Sequence, residues 1–101
     1  MASLTAPMDF AQVDLVSDRL KVLSNPDRLK ILCVLIESEL NVQQIEQHTG
    51  INQPSLSQQL TVLRKAEMVH TRREGKQIFY QVSDAKVLTL MQTLYQLYCT
   101  V

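Results

Sequence analysis

The sequence predicts a mainly α-helical fold with one small β-hairpin, in the order α-α-α-α-β-β-α. Three observations lead to that order. Apolar residues recur at three- and four-residue steps along most of the chain, the signature of amphipathic helices. One stretch, "VHTRREGKQIFYQV", instead places β-branched and aromatic residues on both sides of Glu-Gly-Lys, which signals a hairpin. Glycine occurs only at Gly50 and Gly75, and each marks a turn. A length of 101 residues predicts a single domain, 1–101, and 46% hydrophobic against 20% charged residues is the balance of a globular chain.

Each element has its own local cause. From about 9 to 23, Phe10, Val13, Val16, Leu20 and Leu23 fall on one helical face. "SNPDRLKILCVLIE" starts a second helix: Asn25 caps, Pro26 suits the first helical position, and Asp27 favours the positive end. This helix is apolar nearly all round, with Cys33 among its apolar members. A short third helix runs from Val42 to about His48, capped by Asn41 and stopped by Gly50. "INQPSLSQQLTVLRKAEMV" predicts a fourth, with Asn52 as cap, Pro54 in the first turn and a thin seam of Leu56, Leu60 and Leu63. After the hairpin, about 69–82, Ser83 is expected to cap a last helix over about 84–98.

Ten basic and ten acidic residues cancel, which argues against a strongly basic nucleic-acid coat. The balance is uneven along the chain. Residues 52–82 hold Arg64, Lys65, Arg72, Arg73 and Lys76 against Glu67 and Glu74, a local excess of positive charge suited to a confined polyanion site. No apolar run is long enough to span a bilayer, and "MASLTAPMDFAQ" lacks the basic start and apolar core of a secretory signal. A cytoplasmic protein without membrane contact is expected, and in that compartment two cysteines read as free thiols rather than a structural staple.

The third and fourth helices, over about 42–65 and joined at "HTGINQ", read as a helix-turn-helix. The side of the fourth helix away from its leucine seam offers Gln53, Ser55, Ser57, Gln58 and Thr61, then Arg64. Amides and hydroxyls are the groups that hydrogen-bond base edges and phosphates in the major groove. A helix facing only water would carry more Glu and Lys, and the first three turns carry neither. Arg72, Arg73, Lys76 and Gln77 flank Gly75, so the hairpin tip is a basic finger, and the two elements in this order make a winged helix with double-stranded DNA as partner. The wing charges taken alone equally describe a solvated loop.

The stretches "NPDRLKIL", "QPSLSQQLTVLRKAEMV" and "REGKQIFYQV" resemble the ArsR superfamily of bacterial winged-helix regulators, over roughly residues 10–99. The resemblance implies a homodimer that binds a palindromic operator and releases it when an inducer is sensed. It also implies that Gln53, Ser55, Ser57 and Gln58 face the major groove. The chain departs from the pattern at Gln58-Gln59, where many relatives have a histidine, and at Glu67-Met68, where relatives often have glycine and the change should matter little.

Many members of that superfamily bind metals, and their ligands are missing here. Asn41 and Gln43 stand at the two cysteine positions of the thiolate motif, and neutral amides do not replace thiolates for a soft metal. The last helix has Asp84 at its start and no histidine; His48 and His70 lie elsewhere, each more readily a lone surface or packed residue than a ligand. No metal and no cofactor are expected. Cys33 and Cys99, in contrast, match the two positions of the persulfide-responsive repressors of the BigR, SqrR and HlyU kind. What the resemblance implies is a di- or polysulfide between them, formed by reactive sulfur species as inducer and shifting helices and dimer. It is the resemblance, not periodicity, that brings the last helix back against the second. The apolar setting of Cys33 should raise its pKa and slow its attack, which leaves Cys99, beside Tyr98, as the first nucleophile.

The helices over about 9–23 and 84–98 have more apolar surface than one small domain covers, and a symmetric dimer would bury it. Tyr95 and Tyr98 are assigned to that seam rather than to a sulfur pocket. The rival readings keep the fold but change the signal to peroxide, disulfide stress or a metal, or change the sign to an anti-silencing activator. A small core role for Cys33 with an idle Cys99 is the plain structural alternative. A thiol enzyme would need Cys-x-x-Cys or a Cys–His pair near an acid, and the chain has neither. A winged helix that binds protein instead of DNA would tolerate charge reversal at Arg72 and Arg73.

Overall fold

Side-chain oxygens placed just before the helices determine where most of them begin. In the computed structural model, which describes residues 9–99, Asp9 accepts from the Ala11 backbone N–H and opens α1 (Phe10–Leu23). Asn25 accepts from Arg28 N–H and opens α2 (Pro26–Leu35), with Pro26 in its first turn. Asn41 opens α3 (Val42–Thr49) with a reciprocal box: its side chain accepts from Gln44 N–H while the Gln44 side chain accepts from Asn41 N–H. Gly50, at φ 74°, ends α3 in the left-handed conformation that glycine adopts without penalty.

Two expected caps are displaced. The fourth helix, α4 (Ser55–Lys65), begins behind Pro54, and Asn52 contributes only its carbonyl, to Leu56 N–H. The longer Gln53 side chain does the capping work instead, accepting from Ser57 N–H at 3.0 Å. The last helix, α5 (Ala85–Tyr98), is capped by Asp84, which accepts from Lys86 N–H, while Ser83 donates its hydroxyl to the Glu67 carbonyl.

A third strand joins the expected hairpin. Besides β2 (Val69–Glu74) and β3 (Gln77–Val82), the two residues Leu40–Asn41 form β1, giving an antiparallel sheet of order β1-β3-β2. Leu40 pairs with Tyr80 and Asn41 with Phe79 on one edge of β3; Arg72 pairs with Phe79 and Arg73 with Ile78 on the other. Because β1 runs straight into α3, the sheet is anchored to the helix-turn-helix.

The core lies where α2, α3, α4 and the base of the sheet meet. Ile31, Leu32 and Leu35 of α2, Ile45 of α3, the whole Leu56, Leu60 and Leu63 seam, Met68 and Val69 are buried. Each such side chain gains roughly 1.5–3 kcal/mol from leaving water. The outer helices contribute little to it: Leu23 alone from α1, and Val87 and Met91 from α5. The amino-terminal residues 1–8, part of the stretch read above for a secretory signal, lie outside the described residues. No helix among the described residues is long and apolar enough to cross a membrane.

Candidate nucleic-acid interface and thiol pair

Burial of the leucine seam turns the opposite side of α4 outward. Gln53, Ser57, Gln58, Thr61 and Arg64 are exposed, and Ser55 is half-buried. Their hydrogen bonds within the chain leave groups available. Ser57 donates its hydroxyl to Gln53 Oε1 at 2.8 Å, and Thr61 donates to the Ser57 carbonyl at 2.9 Å. Both hydroxyl oxygens and the Gln53 NH2 group thus retain capacity for a base edge or phosphate. Gln58 presents a whole amide, the group suited to a bidentate pair with adenine. The neighbouring Gln59 faces inward, accepting from Arg28 Nη1 at 2.8 Å, so the Gln58-Gln59 pair divides between solvent and the body of the domain.

Beside α4 stands the hairpin. Arg73 and Lys76 are exposed and make no ion pair among the described residues. Tyr80 of β3 shares a groove with Leu60, Thr61, Arg64 and Lys65 of α4, which brings the wing alongside that helix. Arg72 is differently placed. Its guanidinium bonds Glu39 through Nε (3.1 Å) and Nη2, bonds Glu74 through Nη1 (3.0 Å), and lies 4.9 Å from the centre of the Phe79 ring. The hydrogen bond from Arg72 holds the Glu39 carboxyl below the usual carboxylate range, and the two carboxylates push the Arg72 pKa up.

The second candidate site is the pair of thiols. Cys33 lies on α2 between buried Leu32 and half-buried Val34, yet is itself exposed in the single chain. That departs from the expectation of a cysteine packed within an all-round apolar helix: α2 buries one face only. Cys99 follows the last turn of α5, its backbone N–H donating to the Tyr95 carbonyl at 2.8 Å, and is also exposed. The pKa of Cys33 is pushed up, first by its partial burial and second by the charge of Cys99. The fold therefore brings two residues distant in sequence within electrostatic reach of each other.

The residues weighed as metal ligands are engaged elsewhere or isolated. Asn41 is held in its capping box, and Asp84 caps α5 and pairs with Arg19 of α1. His48 and His70 are exposed on α3 and β2. No cluster of three or more His, Cys, Asp or Glu side chains placed to hold a metal ion occurs among the described residues. Sequence reasoning missed Glu39, Phe79 and the Arg28–Gln59 bond. No local spacing links such partners; only the two-residue spacing of Arg72 and Glu74, which puts them on one strand face, could have signalled part of the arrangement.

The known proteins that this chain is similar to agree with the geometry. Residues 25–71 match the family described as "Bacterial regulatory protein, arsR family". The chain is 51% identical over 85 residues to the biofilm growth-associated repressor of Xylella fastidiosa strain Temecula1, an alignment covering 84% of this chain and 75% of that protein. With the transcriptional activator HlyU of Vibrio cholerae it is 36% identical over 98 residues, covering 93% and 91%. The crystal structure of the transcriptional repressor BigR from Xylella fastidiosa superposes with a TM-score of 0.85 at 46% identity, covering 90% of this chain and 93% of that one. All three are regulators of transcription, none an enzyme. With its winged helix-turn-helix fold, the chain belongs to the ArsR family of bacterial regulatory proteins and is a transcriptional regulator rather than an enzyme.

Proposed function

We propose that the chain is a homodimeric repressor that binds a palindromic operator and releases it when Cys33 and Cys99 are oxidised by reactive sulfur species. The observation that supports the switch is the neighbourhood of the two thiols: Cys99 acts electrostatically on Cys33 although it sits at the far end of the last helix. In this reading Gln53, Ser55, Ser57, Gln58 and Thr61 meet the major groove. Arg64, with the exposed wing residues Arg73 and Lys76, which make no ion pair among the described residues, supplies positive charge beside it. The relatives include both a repressor and an activator, and the repressor shares the higher identity.

The chemistry balances without a cofactor. The Cys99 thiolate attacks the outer sulfur of an organic persulfide, RSSH; an S–S bond forms and RS⁻ leaves. The Cys33 thiolate then attacks the Cys99 sulfur, and hydrosulfide leaves. The two thiols give up two electrons, and the transferred sulfur is reduced to sulfide. A second sulfur transfer before closure, followed by attack on the middle sulfur, leaves a trisulfide and the same leaving groups. Extra sulfurs let the link span thiols that are neighbours but not in contact.

The test treats reduced protein with an organic persulfide and, separately, with peroxide or oxidised glutathione. Intact mass and affinity for a duplex enriched from a random DNA pool are read on the same samples. The expected result is loss of both thiols, a mass that falls by two hydrogens for the disulfide and rises by one sulfur for each sulfur kept in a longer link, and an affinity loss of about tenfold or more, about 1.4 kcal/mol, with persulfide alone. Equal response to peroxide would replace the inducer by general thiol stress. Unchanged affinity under every oxidant would refute the thiol switch while leaving DNA binding intact.

A further inference from the structure

The adjacent arginines of the wing stand on opposite faces of the sheet. In antiparallel pairing, residues directly opposite share a face and successive residues alternate. Thr71 with Tyr80 and Arg73 with Ile78 therefore lie on the face that continues the buried Val69, and Tyr80 on this face lines the groove beside Thr61 and Arg64 of α4. Arg72 with Phe79 and Glu74 with Gln77 lie on the other face. There they meet β1, where Asn41 donates to Gln77 Oε1 at 3.3 Å and Glu39, just before the strand, holds the Arg72 guanidinium.

We infer that Arg72 is not a phosphate contact but a positioning residue, which fixes the wing to the entrance of the helix-turn-helix. Its fork grips Glu39, Glu74 and the face of Phe79 at once, linking β2, β3 and the segment that leads through β1 into α3. Asn41, whose backbone N–H and side chain form the α3 capping box, belongs to the same face through Gln77. The angle between wing and recognition helix is thus set by contacts on the side away from the groove. Arg73, Lys76 and Arg64 are left to meet phosphate. The inference rests on the operator-binding reading, which the same experiment tests separately.

The reduced full chain, its variants and the selected duplex are used across a series of salt concentrations. Arg73→Ala should flatten the salt dependence, its log–log slope falling by about two for a homodimer because one phosphate contact is lost per subunit. Arg72→Ala should weaken binding roughly tenfold with the slope unchanged. Glu39→Gln gives the sharpest division. If Arg72 served phosphate, removing its carboxylate partner would release positive charge and tighten binding; if Arg72 positions the wing, the same change loosens it. Arg72→Glu combined with Glu39→Arg should recover most of the affinity lost by Arg72→Glu alone, a rescue that a misfolded variant cannot show. Glu39→Gln binding as well as the parent or better, a flattened slope for Arg72→Ala, or failure of the charge swap to rescue would each overturn the inference. A parent protein that selects no duplex would instead overturn the operator reading itself.

Discussion

At Cys33, partial burial and the charge of Cys99 act in the same direction, and both favour the neutral thiol. Reaction at Cys33 with a neutral alkylating reagent should therefore rise with pH through a midpoint above the ordinary thiol value of about 8.5. Cys99→Ser removes the charge and leaves the burial, so the midpoint should move down while staying above that value. Peptide mass spectrometry of timed alkylation measures it, and a midpoint that does not move would mean the thiols do not sense each other. The same shift has a consequence for stability. The folded chain holds the Cys33 proton where the unfolded chain has released it, so this contribution is complete below the unfolded pKa and is lost as pH rises through the raised one. A thiol tuned this way resists casual oxidation at neutral pH and depends on a partner to open the reaction, which is the division of labour proposed for Cys99 and Cys33.

Among the elements, those with a local cause were legible in the sequence and those with a distant cause were not. The apolar periodicity of five helices, the Asn25 and Asn41 caps and the Gly75 turn all come from residues a few positions apart, and all are observed. β1 has two residues, too few for any alternation to show, and exists because β3 offers a free edge at Phe79 and Tyr80. Asn52 and Ser83 had the right chemistry for caps but lost the place to Gln53 and Asp84, each through a side-chain contact settled by neighbouring geometry. Glu67 is left-handed at φ 60°, which explains why glycine suits that position in relatives and corrects the expectation that the change is of little account. In the candidate site, the exposed polar side of α4 could be read from the position of its leucines; the grip on Arg72 could not, because Glu39 reaches it only after the sheet has formed. The Asn41 box makes an element-scale prediction. Asn41→Ala should lower unfolding free energy by about 1 kcal/mol, the worth of a helix cap, whereas Gln77→Ala, which removes only the exposed 3.3 Å contact, should stay within a few tenths. Equal losses in urea titrations would show that the cap contributes nothing of its own.

For the whole molecule, the single chain is incomplete as a buried object. Its radius of gyration is 15.3 Å, against about 13 Å for a compact domain of this length, and its longest dimension is 52 Å. The excess goes with α1 and α5, which leave Phe10 89%, Leu15 56%, Leu97 68% and Tyr98 80% exposed. Isolated exposed apolar residues are ordinary, but two helices exposing them in series describe a surface that a second copy would cover. Tyr95 and Tyr98, assigned to the seam from the sequence, are exposed rather than packed into the core of the single chain. A symmetric pair would also set two recognition helices about 34 Å apart, one turn of duplex, so that each half-site strengthens the other. Leu15→Glu with Leu97→Glu puts two charges where the single chain exposes its side chains to water and a dimer would bury them. The double variant should keep its helical circular dichroism yet sediment as one 11.5 kDa chain instead of two, and lose most of its affinity for the palindromic duplex while keeping what one half-site gives. A variant that stays dimeric would place the seam on another face. Because Cys99 follows directly on Leu97 and Tyr98, the last turn that would hold the dimer together is also the turn that a sulfur link to Cys33 would pull. Oxidation of the parent should then shift operator affinity far more than oxidation of the monomeric variant shifts its half-site binding, and equal shifts in the two would mean that the thiols act within each subunit rather than through the pair.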